Sequence, residues 1–292
     1  MLLPNFEFYD PDKLSDALTL KADYRENARL LAGGADLLVH LKKKLGKPGH
    51  LNSLAGINDL SQITQDDRSI TIGSCVTMAQ LCASDIISNK FNALHSGAKS
   101  LGNHLIRNRA TIGGNVCNAS PAGDSLCPLL VYNATVLLAS KGNTREIAIE
   151  QFFTGPGATM IQDDEIVTGF KLPLPGNSSG AHYIQLGKRK SSEINVVNAA
   201  SFLEIDSNTN KVVSARIALG SVGPVPIRAK NAEAILKDAI AEESLFYEAA
   251  EAARRQDCKP IDDFRGSAAY RQAMIGVLTL RTLRAAYEQA SS

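Results

Sequence analysis

Surplus charge of either sign is nearly missing from this sequence: 31 Lys and Arg stand against 30 Asp and Glu in 292 residues. No broad positive field exists to hold a nucleic-acid backbone or an acidic membrane, so any anion must be bound locally. Cysteine is scarce and odd in number (Cys75, Cys82, Cys117, Cys127 and Cys258), which argues against a disulfide framework and for a reducing compartment. None of the five forms a C-x-x-C pair, and no four fall at cluster spacing, so a zinc or iron–sulfur site is not expected and the thiols read as buried apolar residues. His40, His50, His95, His104 and His182 are scattered rather than set at ligand spacing, and no metal site follows from them.

No apolar run approaches the roughly 18–20 residues needed to cross a bilayer. The start Met1-Leu2-Leu3-Pro4 lacks the basic residues and long apolar stretch of a signal peptide. The expectation is a soluble cytoplasmic protein without nucleic-acid or membrane partners. Three motifs are also absent: G-x-G-x-x-G, G-x-x-x-x-G-K-[ST] and H-E-x-x-H. Their absence argues against a Rossmann dinucleotide site, a P-loop and a zinc protease.

What is present is ordinary globular composition, 44% hydrophobic and 21% charged, in a chain too long for one small core, so two or three domains are expected. Residues 28–32 read as a short strand that stops at Gly33-Gly34, and Leu37, Leu38, Leu41 and Leu45 then recur at helical spacing. Asp36 opens that helix, Lys42, Lys43 and Lys44 close it, and Gly46 stops it, an order that complements the helix dipole. A strand is expected at 69–74, helices at 78–87 and 92–101, a hairpin from 134–139 and 145–149, and a strand at 165–172. Residues 173–180, rich in Pro, Gly and Ser, read as a linker. Beyond it come β-rich segments at 196–205 and 212–220, then helices at about 229–239, 242–255 and 267–289, with Lys259-Pro260 breaking the chain.

Two glycine pairs, Gly33-Gly34 and Gly113-Gly114, lie about 80 residues apart, and each reads as a turn closing a strand with backbone amides left free. Such turns suit a pyrophosphate, because a Cβ would hold phosphate oxygens away from the amides. Asp124 is either a ligand contact or the N-cap of a helix starting near Ser125. Arg107 and Arg109 either set positive charge beside a ligand or face solvent.

The segment Leu31-Ala32-Gly33-Gly34-Ala35-Asp36-Leu37 resembles the A-G-G-[TS]-D-L signature of xanthine dehydrogenase-type FAD domains. Ile106-Arg107-Asn108, followed by Thr111-Ile112-Gly113-Gly114-Asn115 and Ser120-Pro121-Ala122-Gly123-Asp124, is similar to that family's second block. The likeness continues through Asp164-Glu165-Ile166-Val167 and Gly187-Lys188-Arg189-Lys190, and ends in Arg265-Gly266-Ser267-Ala268-Ala269-Tyr270-Arg271.

The resemblance implies an α+β fold: a two-part FAD-binding domain of the vanillyl-alcohol-oxidase (PCMH) type over 1–176, with subdomains of about 1–60 and 61–176. A C-terminal α+β domain over 181–292, with a small antiparallel sheet and helices, follows. It also implies a non-covalent FAD whose pyrophosphate and neighbouring groups lie along Leu31, Ala32, Gly33, Gly34, Ala35 and Asp36, and along Ile106, Thr111, Gly113, Gly114 and Asn115. Asp124 falls near the flavin-side hydroxyls, Ile166 and Val167 near the adenine, and Lys188 near the flavin.

The family's partners are a molybdopterin-binding large subunit and a small subunit with two [2Fe–2S] clusters, and its acceptors are NAD⁺, oxygen or another oxidant. Three positions depart from the pattern. Ala35 stands where the family carries Thr or Ser, a loss of at most one hydrogen bond of about 0.5–1.5 kcal/mol. Leu105 stands where a Gln often precedes I-R-N, and Gln185 where relatives often carry Lys. Two rival readings remain open: a self-contained FAD oxidase, and a scaffold that kept the fold and lost FAD.

Overall fold

The computed structural model describes residues 2–189 and 191–292, so Lys190 of the Gly187-Lys188-Arg189-Lys190 motif lies outside the described residues. The N-terminal layer is a parallel sheet built from β1 (Glu7–Tyr9), β2 (Ala28–Leu31) and β3 (His50–Ser53) in the order β1-β3-β2. Parallel neighbours require crossovers. Here these are α1 (Leu14–Tyr24) and α2 (Leu37–Lys42). Helix α1 turns Ala17, Leu18 and Lys21 inward, and the two apolar ones join Leu54, Ile57, Leu60 and Ile166 in a small core beneath the sheet.

The second layer begins with β4 (Ile63–Gln65) and β5 (Ser69–Gly73). The expected helix at 78–87 is two, α3 (Met78–Ala83) and α4 (Asp85–Lys90), because Ser84 takes an extended conformation between them. A capping box at Thr77 and Gln80 opens the first. Next come α5 (Asn92–Ser100), α6 (His104–Arg107), α7 (Ile112–Cys117) and α8 (Leu126–Val131). The hairpin β6 (Thr135–Ser140) and β7 (Asn143–Ala148) turns at Gly142, whose φ of 83° favours glycine. Short elements α9 (Ile149–Phe152), β8 (Phe153–Gly155) and β9 (Ala158–Thr159) lead to β10 (Ile166–Pro173). The antiparallel sheet runs β4-β5-β10-β6-β7.

The second glycine pair does not close a strand as its apolar approach suggested. Asn103 Oδ1 accepts from the Ile106 amide at 3.0 Å and Thr111 Oγ1 from the Gly114 amide at 3.0 Å, so each side chain caps a helical turn. Gly113 and Gly114 therefore sit in the first turn of α7.

The chain crosses to the third layer between β10 and β11 (Ser179–Leu186), which pairs antiparallel with β12 (Val197–Asp206). Strand β13 (Lys211–Gly220) and the short β14 (Ile227–Arg228) complete this sheet. Strand β12 is buried on both faces with period two: Val197, Ala199, Leu203 and Ile205 face one core, Ala200 and Phe202 the other. The first core is shared with α10 (Lys230–Leu236), α11 (Glu243–Ala252) and α12 (Ala268–Ala290); the second is the core of the preceding layer. Helix α12 starts where Ser267 Oγ accepts the Tyr270 amide at 3.2 Å.

Strand β11 crosses α12 at Gly180, where an added Cβ would overlap the Ala286 carbonyl oxygen and stand 2.6 Å from Gln289 Cβ. Gly180→Ala is expected to lower the unfolding free energy by about 1–3 kcal/mol through overpacking, read by chemical denaturation. A loss under about 0.5 kcal/mol, the range of neutral surface changes, would contradict this contact.

Candidate cofactor cleft

The N-terminal sheet and the helical end of the second layer meet along a cleft of about 910 Å³, near the upper end of the roughly 300–1,000 Å³ usual for cofactor pockets. Its floor is set by two close backbone approaches. A Cβ on Gly33 would overlap the Arg109 carbonyl oxygen, so only glycine lets the turn after β2 lie against the start of α7. A Cβ on Gly113 would stand 2.5 Å from the Ser74 carbonyl oxygen, which accepts the Gly113 amide at 2.9 Å.

Gly34 has φ 76°, where side chains are strained. Gly114 is exposed, and a Cβ there would meet only Thr111 Oγ1 at 2.9 Å. It is the smooth surface of the cleft. Its own amide is held by Thr111, so the sequence expectation of a free amide at this position is corrected.

The free donors lie in the first motif. Among the described residues, the amides of Gly33, Gly34, Ala35 and Asp36 donate to no protein acceptor, and all four residues line the cleft. Four successive unpaired amides around a left-handed glycine make an anion-binding concavity. A second unpaired donor is the hydroxyl of Ser74, a buried residue of the cleft lining whose Oγ has no hydrogen-bond partner among the described residues. A free amide run, an orphaned hydroxyl and a Cβ-free wall fit a diphosphate-containing cofactor.

Of the residues singled out in the sequence, Ala32, Gly33, Gly34, Ala35, Asp36, Ile106, Thr111, Gly113, Gly114, Asn115, Asp124, Ile166 and Val167 all line this one cleft. Leu31 and Lys188 do not. Leu31 Cδ1 lies under Gly34 beside Leu38, and Lys188 Nζ donates to the Phe264 carbonyl at 2.7 Å. Gln185 also lies off the cleft wall, with its Oε1 buried and unpartnered.

Sequence reasoning missed Ser74, Lys21 and Ile194, which line the cleft from the residue after β5, from α1 and from the loop before β12. The strand expected at 69–74 ended on Ser74, but only tertiary folding sets it beside Gly113. Lys21 is 8% exposed with Nζ donating to the Arg25 carbonyl at 2.8 Å; burial lowers its pKa, and Arg29 adds to that. One wall is braced by Glu165, which Arg145 grips through Nε–Oε1 at 2.5 Å and Nη2–Oε2 at 2.7 Å, holding its pKa below the ordinary carboxylate range.

Asp124 lines the cleft, as do Leu101 and Gly102. Ser125, not Asp124, is the residue preceding helix α8, so the capping alternative fails. Asp124 Oδ1 accepts instead from Asn195 Nδ2 at 2.9 Å, Ser100 Oγ at 3.1 Å and Tyr183 OH at 3.1 Å. Burial raises its pKa, against those three hydrogen bonds, which lower it.

The first two layers match the FAD-binding domain of molybdopterin dehydrogenases over residues 4–175, and the third matches the C-terminal domain of the CO dehydrogenase flavoprotein over 182–286. The chain belongs to this family of FAD-binding subunits of molybdenum hydroxylase-type oxidoreductases. It is 32% identical to the xanthine dehydrogenase FAD-binding subunit of Escherichia coli O157:H7, covering 95% of this chain and 94% of that one. The fold superposes on CO dehydrogenase from Hydrogenophaga pseudoflava with a TM-score of 0.94 and 29% identity, covering 99% of both chains. It superposes on quinoline 2-oxidoreductase from Pseudomonas putida 86 with a TM-score of 0.92 and 26% identity, covering 100% of both.

Because the folded-state pKa of Asp124 is raised, ionising it costs stability. That cost grows as pH climbs above the ordinary carboxylate value of about 3.9 and is fully present once pH exceeds the raised folded value. Asp124→Asn removes the charge and keeps an oxygen that can accept the same hydrogen bonds. Its melting temperature, relative to the parent apoprotein, is expected to rise at about pH 7 and to lose that advantage toward about pH 4. A variant melting below the parent at neutral pH would contradict the burial cost.

Proposed function

We propose that this chain holds one non-covalent FAD along the cleft and serves as the electron-outlet subunit of a cytoplasmic molybdenum hydroxylase complex. The observation that carries this reading is the run of unpaired amides at residues 33–36, facing the same cleft as the Cβ-free surface of Gly114. Ala32 through Asp36 hold the diphosphate, with Thr111, Gly113, Gly114 and Asn115 forming the opposite wall beside Ile106. Ile166 and Val167 are the apolar wall for the adenine, and Asp124 receives the flavin-side hydroxyls. Leu31 and Lys188, which stand off the cleft, are left out of this set.

Bound FAD supplies the ability to take electrons singly and release them in pairs. The chain's own residues exclude bulk water from the cleft, fix the cofactor's orientation and neutralise part of its negative charge with amide dipoles. Its partners in this reading are a molybdopterin-binding large subunit, which oxidises the substrate, and a small subunit with two [2Fe–2S] clusters, which delivers electrons. NAD⁺ or another oxidant takes them away. Relatives named for xanthine, carbon monoxide and quinoline share this fold, which supports assigning substrate choice to the large subunit. A self-contained oxidase would turn over its own substrate; the FAD-loaded chain free of iron and molybdenum is expected to hydroxylate no xanthine-type compound, and hydroxylation by it would sink the division of labour.

Gly114→Val tests the site. The added branches would project into the cleft and press on Thr111 Oγ1, while leaving the buried core untouched. A folded chain is expected, by circular dichroism, with FAD affinity reduced about a hundredfold or more, roughly 3 kcal/mol. Full flavin retention in the folded variant would place the diphosphate elsewhere. Acid precipitation of the parent should release about one FAD per chain, and flavin left covalently in the pellet would also count against the reading.

A further inference from the structure

Ser74 follows the last residue of β5 and stands where the two glycine segments come together. Its amide donates to the Thr168 carbonyl at 3.0 Å and its carbonyl accepts from Gly113 at 2.9 Å, so both backbone groups are spent. The neighbouring chain is pinned as well: the Ile112 amide donates to Val76 at 3.0 Å and the Met78 amide to Ala110 at 2.8 Å. This fixes the Ser74 side chain against Gly113, whose ideal Cβ would lie 2.7 Å from Ser74 Cβ. The residue is 4% exposed, lines the cleft, and leaves Oγ without a hydrogen-bond partner among the described residues.

A buried hydroxyl without a partner is destabilising and is uncommon unless a ligand or water completes it. Across the cleft, the run of free amides contains Ala35, which contributes an amide and no hydroxyl. In the FAD reading proposed above, the acceptor-rich group between these two segments is the diphosphate. We infer that the Ser74 hydroxyl donates a hydrogen bond to the FAD diphosphate and supplies from the residue after β5 the hydroxyl contact that Ala35 cannot make. This inference rests on the FAD reading proposed above. It makes Ser74 a cofactor-binding residue whose hydroxyl is satisfied only in the loaded protein.

The test is a two-position cycle on the apoprotein, with FAD and riboflavin affinities measured by flavin fluorescence and apoprotein melting recorded alongside. Ser74→Ala is expected to weaken FAD binding about ten- to a hundredfold, the range for a hydrogen bond to a charged group. Riboflavin, which carries no phosphate, should bind Ser74→Ala and the parent within about twofold, well under one hydrogen bond. The apoprotein should melt no lower than the parent, because the hydroxyl has no partner to lose. Ala35→Ser combined with Ser74→Ala should recover most of the lost FAD affinity.

FAD affinity unchanged by Ser74→Ala overturns the inference. So does an equal loss for FAD and riboflavin, or a lowered apoprotein melting point, since either marks Ser74 as structural. Loss of FAD affinity without recovery in the double variant overturns the exchange with position 35. Failure of the parent itself to bind FAD is a different result, and it falls on the proposed function.

Discussion

The structure depends on two backbone approaches so close that, at each, one of the two residues must lack a side chain. Gly33 lies against the Arg109 carbonyl, and Gly113 against Ser74. Ordinary turns at this distance would satisfy each other's amides. Here the amides of residues 33–36 donate to no acceptor among the described residues, and all four residues line the cleft. Gly33, Gly34 and Ala35 are half-buried; such amides left unpaired carry a free-energy cost, and a bound anion is the natural way to offset it. In the reading proposed above, recognition of the diphosphate lies in main-chain atoms, which would let a chain with almost no net charge hold a doubly charged group.

The segment 121–124, which follows α7, is tied to the third layer. Asn195, just before β12, donates to the Ala122 carbonyl at 3.0 Å and to Asp124 Oδ1, while Tyr183 on β11 reaches the same carboxylate. The Ser221 amide donates to Pro121 at 2.9 Å, and its hydroxyl to the Asn195 carbonyl at 3.2 Å. Three segments distant in sequence are thus tied around one carboxylate that lines the cleft. Because β12 buries both faces, the C-terminal sheet cannot separate from the FAD-binding layers without exposing the core that contains Ala200 and Phe202. The C-terminal domain is in this sense a clamp on the cleft as well as a cover for its own helices.

Elements governed by local chemistry were legible in the sequence. The hairpin around Gly142, the β-rich segment that becomes β12 and the long helix α12 all follow from periodicity, residue type and turn residues. The strand order β1-β3-β2 was not, because parallel pairing is decided by contacts distant in sequence. The second glycine pair was misplaced on a strand because Asn103 and Thr111, whose side chains cap α6 and α7, were passed over in favour of an apolar approach. Most of the cleft's lining was readable through motif resemblance. Ser74 was not, since nothing local distinguishes it from any serine ending a strand, and Lys188 is drawn off by a carbonyl on the segment before α12.

The central claim is that the unpaired amides of residues 33–36 bind the diphosphate of FAD. Amide hydrogen exchange of the apoprotein, measured before and after saturation with FAD, tests it most directly. The account predicts that the amides of Gly33, Gly34, Ala35 and Asp36 exchange rapidly in the apoprotein and become strongly protected when FAD binds, while the Gly114 amide, already held by Thr111, changes far less. FAD binding that leaves residues 33–36 exchanging at the apoprotein rate, with protection appearing elsewhere, would contradict it.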